Sequence, residues 1–301
     1  MKVLNFGSLN IDYVYRVDHF VKKGETLSSD ALHVYSGGKG LNQSVALGRA
    51  GLETYHAGSI GQDGLFLLDV LKSADVDVSH VKILDPSEAR TGNAIIQNDR
   101  EGDNCILLYG GANQAITEEQ ADQVIENFSA GDYLILQNEI NCLSHIVDLA
   151  HERGMKIFLN PSPMNDKINR LDLKKIDWFI LNEIEASQIA GFESKDAELL
   201  TDAMLRKFPE AKIVLTLGQD GSCYADHSRK VRQGIYSVKT VDTTAAGDTF
   251  SGFFIAGISE GRTVEDALNL AAKASAIAVS RPGAAPSIPT RKEVDAAGFP
   301  A

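Results

Sequence analysis

The stretch Asp242-Thr243-Thr244-Ala245-Ala246-Gly247-Asp248-Thr249-Phe250 carries the strongest chemical signal in the chain. It lies between a strand expected over 234–240 and an apolar helix rich in small residues, among them Ser251, Gly252, Ala256 and Gly257. Small residues at the start of a helix let a ligand approach the backbone. The first turn then presents N–H groups with no intrahelical partner, at the positive end of the helix dipole. That is an anion site. Asp248 is placed there to accept a proton from an attacking hydroxyl while the N–H groups hold phosphoryl oxygens. The competing reading makes Asp248 a helix cap, a frequent use of Asp, but a cap leaves Ala245-Ala246-Gly247 unexplained.

A second cluster, Ser36-Gly37-Gly38-Lys39-Gly40-Leu41-Asn42-Gln43, opens a helix that runs to Gly51. Its glycines allow close backbone approach, and Asn42 projects from the first turn. No GxxxxGK[ST] occurs, so it is not a P-loop, and the G-x-G-x-x-G dinucleotide pattern breaks at Gln43. Gly7-Ser8-Leu9-Asn10-Ile11-Asp12 follows the first strand, where open α/β sheets bind ligands. Asn10 and Asp12 can together donate to and accept from vicinal hydroxyls, or form an Asx turn. Glu139 stands just past another buried strand, as a site acid or a solvated loop acid. Asn182-Glu183-Ile184-Glu185 reads either as a capping box or as a carboxylate that orders Mg²⁺ through water. Thr216-Leu217-Gly218-Gln219-Asp220-Gly221 is a turn between two strands that could lie against a nucleotide. Arg281-Pro282-Gly283-Ala284-Ala285-Pro286-Ser287-Ile288-Pro289 is a rigid loop whose carbonyls suit a monovalent cation, or a simple helix stop.

Positioning these groups requires a regular frame. Continuous apolar runs of strand length occur at 2–6, 54–60, 132–137, 156–160, 177–182 and 212–217, the pattern of strands buried on both faces. Helix-period stretches alternate with them at 41–50, 65–74, 118–128, 142–153, 183–190 and 197–208, and two more follow at 249–260 and 264–280. The alternation predicts a mainly parallel sheet with helices on both faces, a three-layer αβα sandwich. Residues 12–36 and 90–110 break the rhythm with short alternating strands and no helix. They predict a small antiparallel sheet that stands off the main domain (1–11, 37–89 and 111–301) as a lid.

Composition narrows the function. The chain has 301 residues, 44% hydrophobic and 23% charged, with a net charge of −12. A strongly acidic protein lacks the basic face that nucleic acid or an anionic membrane requires, but backbone N–H groups and Mg²⁺ can still hold a nucleotide. No apolar run approaches the roughly 18 residues of a membrane span. Cys105, Cys142 and Cys223 are scattered, with no CxxC, so neither a disulfide framework nor a zinc site is indicated. A cytoplasmic location is expected.

Taken together, and in this order along the chain, these segments resemble the ribokinase-like family of carbohydrate and nucleoside kinases. The GGKGxN at 37–42 and the DTxAGD-type stretch at 242–248 match its two defining signatures. Further similarity lies in GSxNxD at 7–12, Asn160-Pro161-Ser162-Pro163, NExE at 182–185 and GAxPSxP ending at Pro289. The resemblance implies an ATP-dependent kinase acting on a sugar hydroxyl, D-ribose at O5 foremost, with another sugar of the fructose type or a nucleoside as the alternative. A non-catalytic sugar-binding protein and a nicotinamide-dependent oxidoreductase are the rivals from other classes. The intact Asp248 and Gly247 speak against the first, and the failed fingerprint against the second.

The resemblance also implies roles. Asp248 matches the base, and Ala246, Gly247 and Asp248 the anion hole. Asn10, Asp12, Gly38, Lys39, Asn42 and Glu139 match the sugar site. Asn182, Thr216, Gly218 and Gly221 match ATP contacts, and Glu185 the Mg²⁺-linked acid. Asp242, Thr244, Ala278, Arg281, Gly283 and Ser287 match the loops that hold a monovalent cation, K⁺. The lid matches a homodimer interface. Two departures are local: Phe66, in Asp63-Gly64-Leu65-Phe66, stands where the family often has a glycine opening the next helix, and Ala271-Ala272-Lys273 stands on the adenine side, where it often has His or Asn.

Overall fold

The computed structural model describes residues 1–299, so the last two residues of the expected main domain lie outside the described residues. Its strands are β1 (Val3–Phe6), β2 (Asn10–Arg16), β3 (Ala31–Gly37), β4 (Thr54–Gly61), β5 (Val76–Leu84), β6 (Gly92–Asn98), β7 (Asn104–Tyr109), β8 (Tyr133–Gln137), β9 (Lys156–Asn160), β10 (Trp178–Asn182), β11 (Lys212–Thr216), β12 (Ser222–Ala225) and β13 (Lys230–Gln233). The helices are α1 (Lys39–Arg49), α2 (Leu65–Lys72), α3 (Glu118–Ile125), α4 (Leu143–Glu152), α5 (Glu183–Ala190), α6 (Ala197–Lys207), α7 (Ala246–Ser259), α8 (Val264–Val279) and α9 (Arg291–Ala296).

Nine strands form the main sheet in the order β13-β12-β11-β10-β9-β8-β1-β4-β5. All pairs are parallel except β11–β12 and β12–β13. The predominantly apolar runs occupy the centre because both of their faces are covered. One core packs side chains of α1, α2, α7 and α8 against the sheet, and the other packs those of α3, α4, α5 and α6. This is the expected αβα sandwich. The strand β5 was not legible as a run, because Val76-Asp77-Val78-Ser79-His80-Val81-Lys82-Ile83-Leu84 sits at the sheet edge and alternates between buried and exposed.

The second sheet has the order β3-β2-β6-β7. It is mixed rather than antiparallel, because β2 and β6 pair in parallel, Asp12 opposite Ala94. The reason is the frame beneath. β2 continues from β1 and β6 follows β5, and these two strands point the same way in the main sheet. The expected strand over 234–240 is absent: the chain leaves β13 at Gln233 and runs on without regular structure. Among the described residues no strand lies beyond β13 for it to pair with, and it serves instead as one wall of a cleft.

Two packing features bring distant motifs together. Trp178 of β10 stacks on Phe158 of β9 at 5.3 Å and meets Phe254 of α7 edge-on at 5.7 Å, which pins α7 to the sheet. Burying each such ring contributes about 1.5–3 kcal/mol. Gly252 of α7 lies against Ala46 of α1, where a Cβ would overlap the Ala46 side chain. That close crossing sets the first turns of α1 and α7 side by side.

Candidate active site

The turn before α7 is shaped by Ala245, which adopts φ 60° and ψ 10° and serves as the N-cap residue. A left-handed non-glycine residue carries a strain of roughly 1–3 kcal/mol and persists only where the surroundings hold it. Asp248 is therefore in the first helical turn and is not the cap. Its carboxylate stays available. The backbone N–H groups of Gly247 and Asp248 have no acceptor among the described residues, and open space lies over the Gly247 Cα. Of the three residues expected to form the anion site, Gly247 and Asp248 present free N–H groups, whereas Ala246 N–H bonds Thr243 O at 3.2 Å.

Asp248 is only 6% exposed. Its Oδ2 accepts the Asn42 side-chain amide at 3.2 Å, and its Oδ1 accepts the Gln43 amide at 3.0 Å. The buried Asn42 Oδ1 has no partner in the chain. A buried, unpaired acceptor costs about 1–3 kcal/mol, so this oxygen calls for a ligand donor such as a hydroxyl.

Gly38, with φ 95°, turns the chain into α1 beside Ser8. Ser8 then bonds Glu139 through its hydroxyl and accepts Gly40 N–H at 3.1 Å. Glu139 also accepts Lys39 N–H at 2.8 Å. Burial pushes the Glu139 carboxyl above the usual range, in part offset by Ser8 and Lys39. Burial works against the Lys39 ammonium, but Asp248, Glu139 and Glu185 outweigh it and hold it above the usual lysine value. Asn10 and Asp12 lie two residues apart on β2, on one face of the lid, so neither forms an Asx turn. Asn10 accepts the Asn113 amide at 2.7 Å. Burial, with Glu139 second, raises the Asp12 carboxyl to about 7.

A pocket of about 200 Å³ joins Lys39, Asp248, Gly247, Glu185, Asn182 and Thr216. Beyond it a cleft of about 430 Å³ runs past Thr216, Gly218 and Gly221 to Tyr236 and Ala272. Asn182 and Glu185 do form the capping box: Asn182 Oδ1 accepts Glu185 N–H at 2.9 Å, and Glu185 Oε2 accepts Asn182 N–H at 3.1 Å. Glu185 nonetheless lines the small pocket. Ala272 lines the larger cleft, and the Lys273 ammonium lies 5.8 Å from the ring centre of Tyr236, another of its lining residues.

Asp242 joins two loops. Its Oδ1 accepts Thr244 N–H at 2.9 Å and the Thr244 hydroxyl at 2.6 Å, and its Oδ2 accepts Gly283 N–H at 2.9 Å. Partial burial raises the carboxyl, but these bonds outweigh it and leave it below the usual range. The Arg281 side chain points to Glu293, at 2.7 Å, so only its backbone faces this junction. Ser287 gives its proton to Ala284 O at 2.8 Å, and Ala278 O accepts Arg281 N–H at 3.1 Å.

Sequence reasoning passed over several polar residues that the fold places here. Asn113 clamps Leu9 and Asn10, and the Gly110-Gly111 turn before it was the available signal. Gln137 and Asn5 were hidden inside apolar strands.

Residues 1–291 match the family model described as pfkB family carbohydrate kinase. A ribokinase of Staphylococcus aureus is 33% identical, covering 98% of both chains. Among solved structures, a ribokinase of Cryptococcus neoformans in complex with ADP superposes with a TM-score of 0.84 at 30% identity, covering 98% of both chains. An Arabidopsis thaliana ribokinase complexed with ribose and ATP gives 0.86 at 27% identity, covering 97% of this chain and 96% of that one. With its two glycine-rich helix starts brought together around Asp248 and matched over nearly its whole length, the chain belongs to the pfkB family of carbohydrate kinases.

Proposed function

We propose that the protein phosphorylates D-ribose at O5, using ATP and giving ribose 5-phosphate and ADP. The observation that carries this reading is the placement of Asp248. It is a buried carboxylate beside unpaired helix N–H groups, bonded by Asn42 of the glycine loop, and it lines a small pocket with Lys39 that shares Thr216 and Gly247 with a nucleotide-sized cleft. The similarity to ribokinases along the whole chain supports ribose as the acceptor.

In this reading Asn10, Asp12, Gly38, Lys39, Asn42 and Glu139 hold the sugar, and Asn42 Oδ1 accepts one of its hydroxyls. Asp248 takes the O5 proton as O5 attacks the γ-phosphorus in line. The bond from phosphorus to the β,γ-bridging oxygen breaks and ADP leaves. The free N–H groups of Gly247 and Asp248, in the turn that Ala246 opens, offset the charge that develops on the transferred phosphoryl group. Thr216, Gly218 and Gly221 line the path of the nucleotide, with Asn182 beside the phosphates. Among the described residues no three His, Cys, Asp or Glu side chains cluster as a metal cage. That suits Mg²⁺, which is commonly held by phosphates and water with few protein ligands. When bound, Mg²⁺ supplies charge neutralisation on the phosphates. Glu185, whose Oε1 takes no part in the capping box, would order its waters.

In this reading K⁺ would be held at the loop junction by oxygens of Asp242, Thr244, Ala278, Arg281, Gly283 and Ser287, a reading supported by the bonds that tie Asp242 to Thr244 and Gly283. The lid is proposed to pair with the lid of a second copy. On β7 both faces are exposed, with Ile106 at 52%, Leu107 at 66% and Tyr109 at 56%, an edge that an isolated subunit would leave open to unwanted pairing. A cytoplasmic location fits this reading.

ADP formation across ribose, 2-deoxyribose, fructose and adenosine tests the assignment, with ribose expected to give the highest kcat/KM. If fructose or adenosine outperforms it, ribose fails and the kinase class survives. Asp248→Asn should lose about 10²–10⁴-fold in kcat while calorimetry still detects ribose binding. A variant with near-wild-type turnover would remove Asp248 from the chemistry.

A further inference from the structure

Beneath the site lies a chain of buried amides that no step described above uses. Gln43 of α1 donates Nε2 to Asp248 Oδ1 at 3.0 Å. Its own Oε1 accepts Nε2 of Gln137, from β8, at 2.7 Å. The same Gln137 nitrogen donates to Asn5 Oδ1, on β1, at 3.0 Å. Asn5 in turn donates to Gly40 O at 2.7 Å and to Ser44 Oγ at 2.8 Å, and Ser44 meets His56 Nδ1 of β4 at 2.7 Å. All five residues are at most 1% exposed. They come from three adjacent central strands and from the helix that carries the sugar-binding loop.

Directionality is what this chain adds. A glutamine amide can point either end at a carboxylate: its NH₂ attracts, its oxygen repels. Gln137 offers both Nε2 protons, one to Asn5 and one to Gln43, so the Gln43 oxygen is committed to the sheet side. The Gln43 NH₂ is then committed to Asp248. Asn5 is held the same way, because its NH₂ is used on Gly40 and Ser44. Ser44 already accepts from Asn5, so its own proton is free for His56 Nδ1. That agrees with a His56 ring kept neutral by burial, its pKa lowered to about 3. Donation thus runs outward from Gln137 in both directions, through Gln43 to Asp248 and through Asn5 and Ser44 to His56.

From this arrangement we infer that Gln43 is a positioning residue for the Asp248 carboxylate, oriented by Gln137, and that together they hold Oδ1 so that Oδ2 faces the attacking hydroxyl. Neither Gln43 nor Gln137 touches the reacting atoms in this account. Asn42 also bonds Asp248, on Oδ2, and is expected to meet the sugar through its Oδ1, so Gln43 is the partner of the carboxylate that has no contact of its own with the sugar. The inference rests on Asp248 acting as the base. Misplacing such a group through its support can cost up to about 10²-fold in rate.

Three variants test it. Gln43→Leu removes the donor. Gln137→Glu is nearly isosteric, but replaces two donors by at most one, shared between Asn5 and Gln43, so the Gln43 oxygen loses its fixed partner and the amide is free to turn that oxygen on Asp248. The double variant Gln43→Leu/Gln137→Glu asks whether the two act through one another. Folding is checked for each by circular dichroism and by the thermal shift that ribose produces. The expected result is a fall in kcat of about 10–100-fold in each single variant. KM for ribose and for ATP should stay within about threefold. The double variant should be no slower than Gln43→Leu alone. Folded single variants with kcat within about threefold of wild type would overturn the inference, as would losses that multiply in the double variant. So would losses confined to KM. Asp248→Asn separates the two readings. If it is inactive while the glutamine variants are active, only the positioning role falls; if it is active, the base assignment falls first. Should Gln137→Glu fail to fold, Gln137→Met keeps the volume, removes the orienting donor and is read against the same outcomes.

Discussion

The carboxyl of Asp12 fills the space that a side chain on Gly37 would need: a Cβ at Gly37 would overlap both carboxylate oxygens. The two residues belong to neighbouring strands of the lid, β2 and β3, and Gly37 is the last residue before the turn into α1. The absence of a side chain at Gly37 therefore sets where Asp12 can sit. Gly37→Ala should displace Asp12 and raise KM for ribose by about tenfold or more, the loss expected when a charged hydrogen bond of about 1.5–3 kcal/mol is weakened. KM for ATP should barely change. Steady-state kinetics with each substrate varied in turn would decide; an equal rise in both would mean that the substitution disturbs the fold instead.

Asp12 also gives a pH signature. Its pKa is raised to about 7, chiefly by burial and then by Glu139, against about 4 in an unfolded chain. Between those values the folded protein holds a proton that the unfolded chain has released. The contribution of this group to stability is therefore full below pH 4 and is lost as pH rises through 7. Asp12→Asn should raise the melting temperature of the ligand-free protein at about pH 8 and leave it unchanged near pH 4. Ribose affinity should run the other way, strengthening in the wild type as pH rises through 7 and staying flat in the variant. Calorimetry across this range checks both, and a melting temperature at pH 8 lowered by the substitution would count against the assignment.

The junction at Asp242 makes a cation prediction. Gly283 N–H and Thr244 already tie the two loops to one carboxylate, just ahead of the strained Ala245 turn. An ion bound there would set the geometry of the anion hole. Turnover should be higher in KCl than in NaCl or choline chloride at equal ionic strength. Asp242→Asn should abolish the difference, and identical rates in all three salts would sink the idea.

The lid predicts the oligomeric state. Light scattering at micromolar concentration should give twice the chain mass of 32.5 kDa. Leu107→Asp, on the exposed β7 edge, should shift the protein toward the monomer without lowering its melting temperature in dilute solution. A wild-type monomer across the micromolar range would remove the lid from any interface.

The layers of this protein were legible in its sequence because burial on both faces demands predominantly apolar runs. Val3-Leu4-Asn5-Phe6 and Lys212-Ile213-Val214-Leu215-Thr216 carry that mark, and helix-period stretches stand between such runs. The two glycine-rich helix starts were legible for a local reason: they are about backbone approach, which residue type alone controls. Elements at edges escaped. The strand β5 alternates polar and apolar residues because only one side is covered, and 234–240 looks like a strand but has no neighbour to pair with. Whether β2 and β6 pair parallel or antiparallel was equally out of reach, since it depends on the strands of the main sheet from which they continue.

The sequence could nominate Asp248 but could not separate a base from a cap. The cap reading is excluded by Ala245 taking the cap position, and two amides arriving from a helix some 200 residues away in the chain hold the carboxylate that is left. Gln43, Gln137 and Asn5 are separated by 38 to 132 residues, and nothing in their local spacing marks them as partners. Hydrogen bonds between buried side chains depend on which elements cross and how closely. Here that is the approach of α7 to α1 at Gly252, a property of the packed molecule that local residue order does not encode.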